Sequence, residues 1–107
     1  MRTSAYDPKC PIGRTLDIIG ERWTILILRD LLLRKTRRFQ DFEESLQGIS
    51  PTTLSARLKK LEEHGIVARQ YYTEHPPRAE YALTDKGRAL GPAMKALLDW
   101  GTQHTRR

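Results

Sequence analysis

The run Gly48-Ile49-Ser50-Pro51-Thr52-Thr53-Leu54-Ser55-Ala56-Arg57-Leu58-Lys59-Lys60-Leu61 constrains the fold more than any other stretch. It reads as a tight turn feeding a capped helix. Gly48 can take the left-handed conformation that closes a preceding helix. Ser50 is a good N-cap, because its hydroxyl can accept from an orphan amide of the first turn. Pro51 suits the first helical position, where a missing N–H costs nothing. Ile49 and Leu54 occupy the N′ and N4 positions of a hydrophobic staple. The signals agree on one helix, expected to run from Pro51 to about His64 and to close at Gly65.

Leu54, Leu58 and Leu61 recur at i, i+4 and i+7 and form an apolar stripe. At roughly 100° per residue, Thr52, Thr53, Ala56, Lys59 and Lys60 fall on the opposite side, with Ser55 and Arg57 on the flanks. Small hydroxyls therefore lie near the N-terminus and cations further along. A helix entering a DNA groove needs short side chains where bases are close and long cations where phosphates rise. The competing reading is an ordinary solvated helix face.

Composition limits the alternatives. The chain has 107 residues, 38% hydrophobic and 30% charged, which suits a globular domain with one modest core. Its longest aliphatic run, Ile25–Leu28, is broken by Arg29 and Asp30, too short for a membrane span. The N-terminus has no apolar signal region, so a cytoplasmic, nucleoid-associated location is expected. There are 19 Lys and Arg against 13 Asp and Glu, a net charge of +6. Such a domain is drawn to polyanions. Arg34-Lys35-Thr36-Arg37-Arg38 concentrates that charge and reads either as a phosphate-contacting loop or as a solubilising one. Cys10 is the only cysteine, which excludes an internal disulfide and a multi-cysteine zinc site. His64, His75 and His104 lack zinc-finger spacing, and neither metal nor cofactor is expected.

Residues 1–9 read as an N-terminal arm and 10–107 as one domain. Helical spacing begins at Pro11, with Ile12, Leu16 and Ile19 on one side, and Gly20 ends it. A second helix, Trp23 to Leu33, is apolar almost all round and is expected to form the buried centre. Phe39, Phe42 and Leu46 mark a third, closed by Gly48. After Gly65 the period changes. Residues 66–73 read as a strand, 74–78 as a turn, because two prolines cannot continue a ladder, and 79–83 as a second strand. Thr84 can cap a final helix, which Gly91-Pro92 should bend. Leu90, Met94, Leu97 and Leu98 share one side of it. The expected architecture is mainly α with a small β-hairpin wing: a winged helix-turn-helix. Arg78 stands at the wing tip, able to reach a phosphate or the minor groove. The hairpin's Tyr71, Tyr72 and Tyr81 are expected to pack rather than stack on bases.

Several separated segments resemble the HxlR-type winged helix-turn-helix transcriptional regulators. They are Cys10 to Thr24, Arg37-Arg38-Phe39, Gly48-Ile49-Ser50-Pro51, Leu61 to Val67, and Pro76 to Tyr81. Together they span roughly residues 10–101. The resemblance implies a homodimeric regulator, in first expectation a repressor, that binds a pseudo-palindromic operator in double-stranded DNA. It implies DNA contacts by Ser50, Thr52, Thr53 and Arg57 on the recognition helix, by Arg78 on the wing, and by Arg37 and Arg38 before helix three. Ser55, Lys59 and Lys60 join this set from the helix-face reading. It further implies a dimer built by the first and last helices, through Ile12, Leu16 and Ile19 with Leu90, Met94, Leu97, Leu98 and Trp100. Trp100 either crosses to the partner or packs within its own chain.

Some members of the family use an N-terminal cysteine to sense oxidants or electrophiles, which makes Cys10 a candidate redox sensor. The adjacent helix start and Lys9 favour a nucleophilic sulfur. The alternative is a cysteine that packs as a small hydrophobe. A small-molecule effector is a further expectation. The competing function is a winged-helix protein-interaction module without sequence-specific DNA binding, which the basic helix disfavours. An enzyme is not expected, since no Gly-rich phosphate loop, nucleophile elbow or paired metal ligands occur.

Overall fold

A computed structural model describes residues 8–106, so most of the arm expected over 1–9 lies outside the described residues. The elements are α1 (Pro11–Ile19), α2 (Arg22–Leu33), β1 (Arg37–Arg38), α3 (Phe39–Ser45), α4 (Pro51–Glu63), β2 (Val67–Glu74), β3 (Pro77–Leu83), α5 (Asp85–Arg88) and α6 (Gly91–His104). The strands form one antiparallel sheet in the order β1-β3-β2. This is the expected winged helix-turn-helix, with α3, the turn and α4 as the helix-turn-helix and β2–β3 as the wing. No helix among the described residues is long and apolar enough to cross a membrane.

The turn into α4 forms as the residues dictate. Gly48 adopts φ +94°, and Ser50 Oγ accepts from the Thr53 amide at 3.1 Å. Ile49 and Leu54 are both buried, completing the staple. Leu54, Leu58 and Leu61 enter one core with Ile27, Leu28, Phe42, Ile66 and Tyr81. Tyr81 meets the Phe42 ring edge-on at 6.2 Å between centroids, tying the wing to α3.

Four expectations are corrected. First, α2 is not buried all round. Ile27, Leu28 and Leu31 face the core, but Leu33 is 75% exposed and Leu32 is also exposed. α6 lies along that side, and the two helices leave an apolar groove of about 510 Å³ lined by Ile25, Leu26, Leu32, Met94, Leu97 and Leu98 among others. Second, Gly91-Pro92 does not bend a continuous helix. The chain breaks into α5 and α6, because Pro92 without its N–H is at ease in a new first turn.

Third, the wing tip is tighter than expected. Glu74 still pairs with Pro77 and Thr73 with Arg78, so the turn itself is His75 and Pro76, and Tyr72 is bulged out of the pairing below it. A proline at the first residue of a strand removes no needed donor. Fourth, Tyr81 packs, but Tyr71 and Tyr72 are exposed, with Arg69 over the first ring and Arg38 over the second.

These features give two stability predictions. A Cβ at Gly48 would meet nothing within 4 Å, so the cost of a side chain there is conformational alone. Gly48→Ala should cost about 1 kcal/mol, and Gly48→Asn less, in urea unfolding. Leu58→Ala, at a fully buried site, should cost about 2–5 kcal/mol. An unchanged midpoint in either alanine variant would contradict the packing described.

Candidate nucleic-acid interface

Burying the leucine stripe turns the rest of α4 outward, but the outward row is narrower than its sequence suggests. Thr52, Ser55, Ala56 and Lys59 are exposed and share one side. Thr52, Ser55 and Lys59 make no side-chain hydrogen bond or ion pair among the described residues. Pro51, being N1 in the first turn, leads this row into whatever α4 approaches.

The flanking residues are held from within. Ser50 Oγ donates to Thr53 Oγ1 at 2.9 Å while capping the Thr53 amide, so these two hydroxyls serve each other. Arg57 is half-buried, and its Nε donates to Glu21 Oε1 at 2.9 Å. Lys60 is exposed, but its Nζ donates to the Asp17 carbonyl at 2.9 Å. Both cations therefore point at the α1–α2 junction rather than along the outward row.

The basic stretch before α3 divides in two. Arg37 corrects the expectation of a phosphate contact: its side chain is only 18% exposed. It pairs with the buried Asp30 at 3.4 Å and donates to the Asp41 carbonyl at 3.1 Å. Its Nε is buried without a hydrogen-bond partner. Asp30 also pairs with Arg29, and this shared carboxylate draws Arg37 inward. Arg38 remains exposed on the sheet, its guanidinium 4.6 Å from the Tyr72 ring centroid. Arg34 and Lys35 lie at the other end of the wing, lining a depression with Leu83 and Arg88. Arg78 is exposed beside the tip and makes no ion pair among the described residues. Lys59 on α4, Arg78 and Arg38 are thus exposed cations without an ion pair among the described residues.

The residues expected at a dimer interface also divide. Ile12 is 71% exposed and Trp100 61%, and Leu16, Leu97 and Leu98 are exposed as well. Trp100 stacks near His104 of its own helix, at 5.0 Å between ring centroids. Ile19 corrects the expectation, because it is buried in the core. Leu90 and Met94 are half-buried against that core. Cys10 is the N-cap residue of α1, half-buried, and its side chain makes no capping bond. Among the described residues no group of His, Cys, Asp and Glu could hold a metal ion.

Sequence reasoning missed Glu21 and Asp30. Glu21 N-caps α2: Oε1 accepts from the Thr24 amide at 3.0 Å as well as from Arg57. A signal existed in an acid directly after Gly20 and before a helical run. Asp30 was legible as an acid inside a leucine-rich helix, but its partners were not. Burial raises the Glu21 pKa, but the Arg57 hydrogen bond and the amides of Thr24 and Trp23 outweigh it and hold the carboxyl below the ordinary glutamate range.

A helix-turn-helix with a two-stranded wing and an unpartnered polar row on its second helix defines a winged-helix transcriptional regulator. The chain belongs to the HxlR-like helix-turn-helix family, whose profile matches residues 18–107. The Synechocystis protein sll1512, described as an uncharacterized HTH-type transcriptional regulator, is 42% identical over 93 residues, 87% of this chain and 68% of its own. YvaP of Bacillus subtilis, described in the same terms, is 42% identical over 95 residues, 88% of this chain and 87% of its own. The solved structure of the redox regulator HypR in its oxidized form superposes with TM-score 0.84 at 34% identity, covering 92% of this chain and all of that one. These relatives are regulators, a non-enzymatic role.

The Glu21 carboxylate gives a pH prediction. Its folded-state pKa is lowered, so its contribution is fully present above the unfolded value of about 4.3 and is lost as pH falls through the lower folded value. Glu21→Gln should therefore flatten the fall in stability on acidification below about pH 4.3, measured by urea unfolding at stepped pH. An acid limb identical to that of the unaltered protein would refute this role.

Proposed function

We propose that the protein is a sequence-specific double-stranded DNA-binding regulator that acts as a homodimer and represses by occupying promoter DNA. The observation that carries this reading is the outward row of α4: Thr52, Ser55, Ala56 and Lys59 have no internal task on a rigidly anchored helix. Short side chains can approach base edges, and Lys59 can reach a phosphate. Arg78 and Arg38 on the wing side extend the phosphate contacts, with Ser50 and Thr53 at the lip of the turn. Occupancy alone blocks polymerase, so repression requires no further chemistry.

The dimer reading is supported by exposed apolar side chains on both terminal helices, Ile12 and Leu16 on α1 and Leu97, Leu98 and Trp100 on α6. Together with the groove between α2 and α6 they make an apolar surface that a monomer would leave in water. A two-fold pair would present its reading helices about 34 Å apart, one turn of B-DNA. The likeness to the redox regulator HypR supports a thiol signal at Cys10. As the sole thiol of the chain, Cys10 could form a disulfide only with another chain or a small thiol.

The test is selection of a preferred duplex from a random pool, then titration of that duplex and a random one across salt. Affinity for both should fall steeply with salt, and the preferred duplex should keep an advantage of at least ~10³. Lys59→Ala should weaken both and reduce the salt slope by about one, whereas Ser55→Ala should narrow the advantage. Equal binding of both duplexes by the unaltered protein would leave an interaction module as the better description. Leu98→Glu should convert a dimer to a monomer in sedimentation. Cys10→Ser should remove any change in binding caused by mild oxidant.

A further inference from the structure

The two cations of α4 that turn away from the outward row hold one short segment. Arg57 and Lys60 lie one turn apart on the same flank. Arg57 Nε reaches Glu21 Oε1 at 2.9 Å, and Lys60 Nζ reaches the Asp17 carbonyl at 2.9 Å. Asp17 is in the last turn of α1, and Glu21 is the N-cap of α2. Between them is Gly20, where a Cβ would lie 2.3 Å from the Leu16 carbonyl oxygen. The elbow is therefore tight for want of space, and a larger residue must shift backbone. Glu21 is fixed in turn by the Thr24 amide and hydroxyl, both on the same Oε1.

The leucine stripe decides which side of α4 is buried. It does not by itself hold the helix to the accuracy that base reading requires. Side chains reach about 5–6 Å from a helix axis, so a roll of about 10° moves them about 1 Å. The useful range of a hydrogen bond is only about 0.5 Å wide. Directional contacts on one flank can supply the missing restraint, and Arg57 and Lys60 are the polar contacts that α4 makes to the α1–α2 elbow.

We propose that Glu21 is a positioning residue for sequence reading: by holding Arg57, with the Asp17 carbonyl holding Lys60, the α1–α2 elbow sets the roll of α4 and so decides which side chains reach base edges. This rests on the DNA-reading function proposed above. Arg57 in this arrangement is a tether and not a reader. Glu21 touches no DNA, and its influence passes through α4.

Glu21→Gln tests the idea, because the amide oxygen can still accept from Thr24 and keep α2 capped while the bond from Arg57 loses its ion pair and is weakened to an ordinary hydrogen bond. Removing an acid strengthens binding to any duplex, so the readout is the ratio of affinities for preferred and random duplexes. Glu63→Gln, an exposed acid at the end of α4, is the charge control. The expected result is a ratio narrowed at least tenfold by Glu21→Gln and unchanged by Glu63→Gln. Arg57→Gln should narrow it to a similar degree, and the double variant no further than either single one. Gly20→Ala, which alters neither α4 nor the net charge, should narrow it too. A ratio that Glu21→Gln leaves unchanged or widens, or losses that add in the double variant, would overturn the proposal. If the unaltered protein shows no preference between duplexes, it is the DNA-reading function that fails, before the tether is tested.

Discussion

The anchoring of α4 by Leu54, Leu58 and Leu61 is the constraint on which the remaining surface depends. All three are essentially inaccessible to water. Full burial of a leucine is worth about 1.5–3 kcal/mol, so three approach the whole net stability of a small domain. No other side of this helix can be turned inward at comparable gain. Once the stripe is committed, Thr52, Ser55 and Lys59 have nowhere to go but out. The staple of Ile49 on Leu54 and the Ser50 cap then fix where the helix begins, and so which residues lead it.

Charge follows a different logic from count. A net +6 says only that cations exceed acids. The fold spends several of them internally: Arg37 on Asp30, Arg57 on Glu21, Arg69 on Glu62 and Lys60 on a carbonyl. Asp30 shows why this is obligatory. An acid buried in a leucine-rich helix must find a partner, because an isolated buried charge is too costly to keep. Arg29 and Arg37 both answer it. What remains for a polyanion is set by which cations the fold pairs, the buried Asp30 and the partly exposed Glu21 and Glu62 each holding at least one.

Much of the local structure fixed by neighbours in sequence was legible, though the Glu21 cap on the Thr24 amide, three residues away, was not. The cap at Ser50, the left-handed Gly48, the change to period two after Gly65 and the cap at Thr84 all depend on residues within a few positions. The unread features of α4 involve partners far along the chain. Arg57 and Glu21 are 36 residues apart, and Lys60 and Asp17 are 43 apart. Helical periodicity put Arg57 on a flank, but a flank is outward or inward only according to what packs beside it. Ile19 shows the same limit: the spacing that groups it with Ile12 and Leu16 also allows it to rotate into the core. A proline at 92 fits a distortion within one helix by its missing donor, and the same missing donor equally permits a fresh start.

α1 joins two surfaces that would otherwise be separate. Ile12 and Leu16 expose apolar area on one side, while the carbonyl of Asp17 and the junction beyond it grip the flank of α4. A nine-residue helix is too short to bend appreciably, so it responds to force as a unit. The exposed Ile12 and Leu16 therefore belong to the same rigid piece that grips the flank of α4. In a chain of this size the surface that could recruit a partner and the surface that could read a duplex are adjacent sides of one elbow.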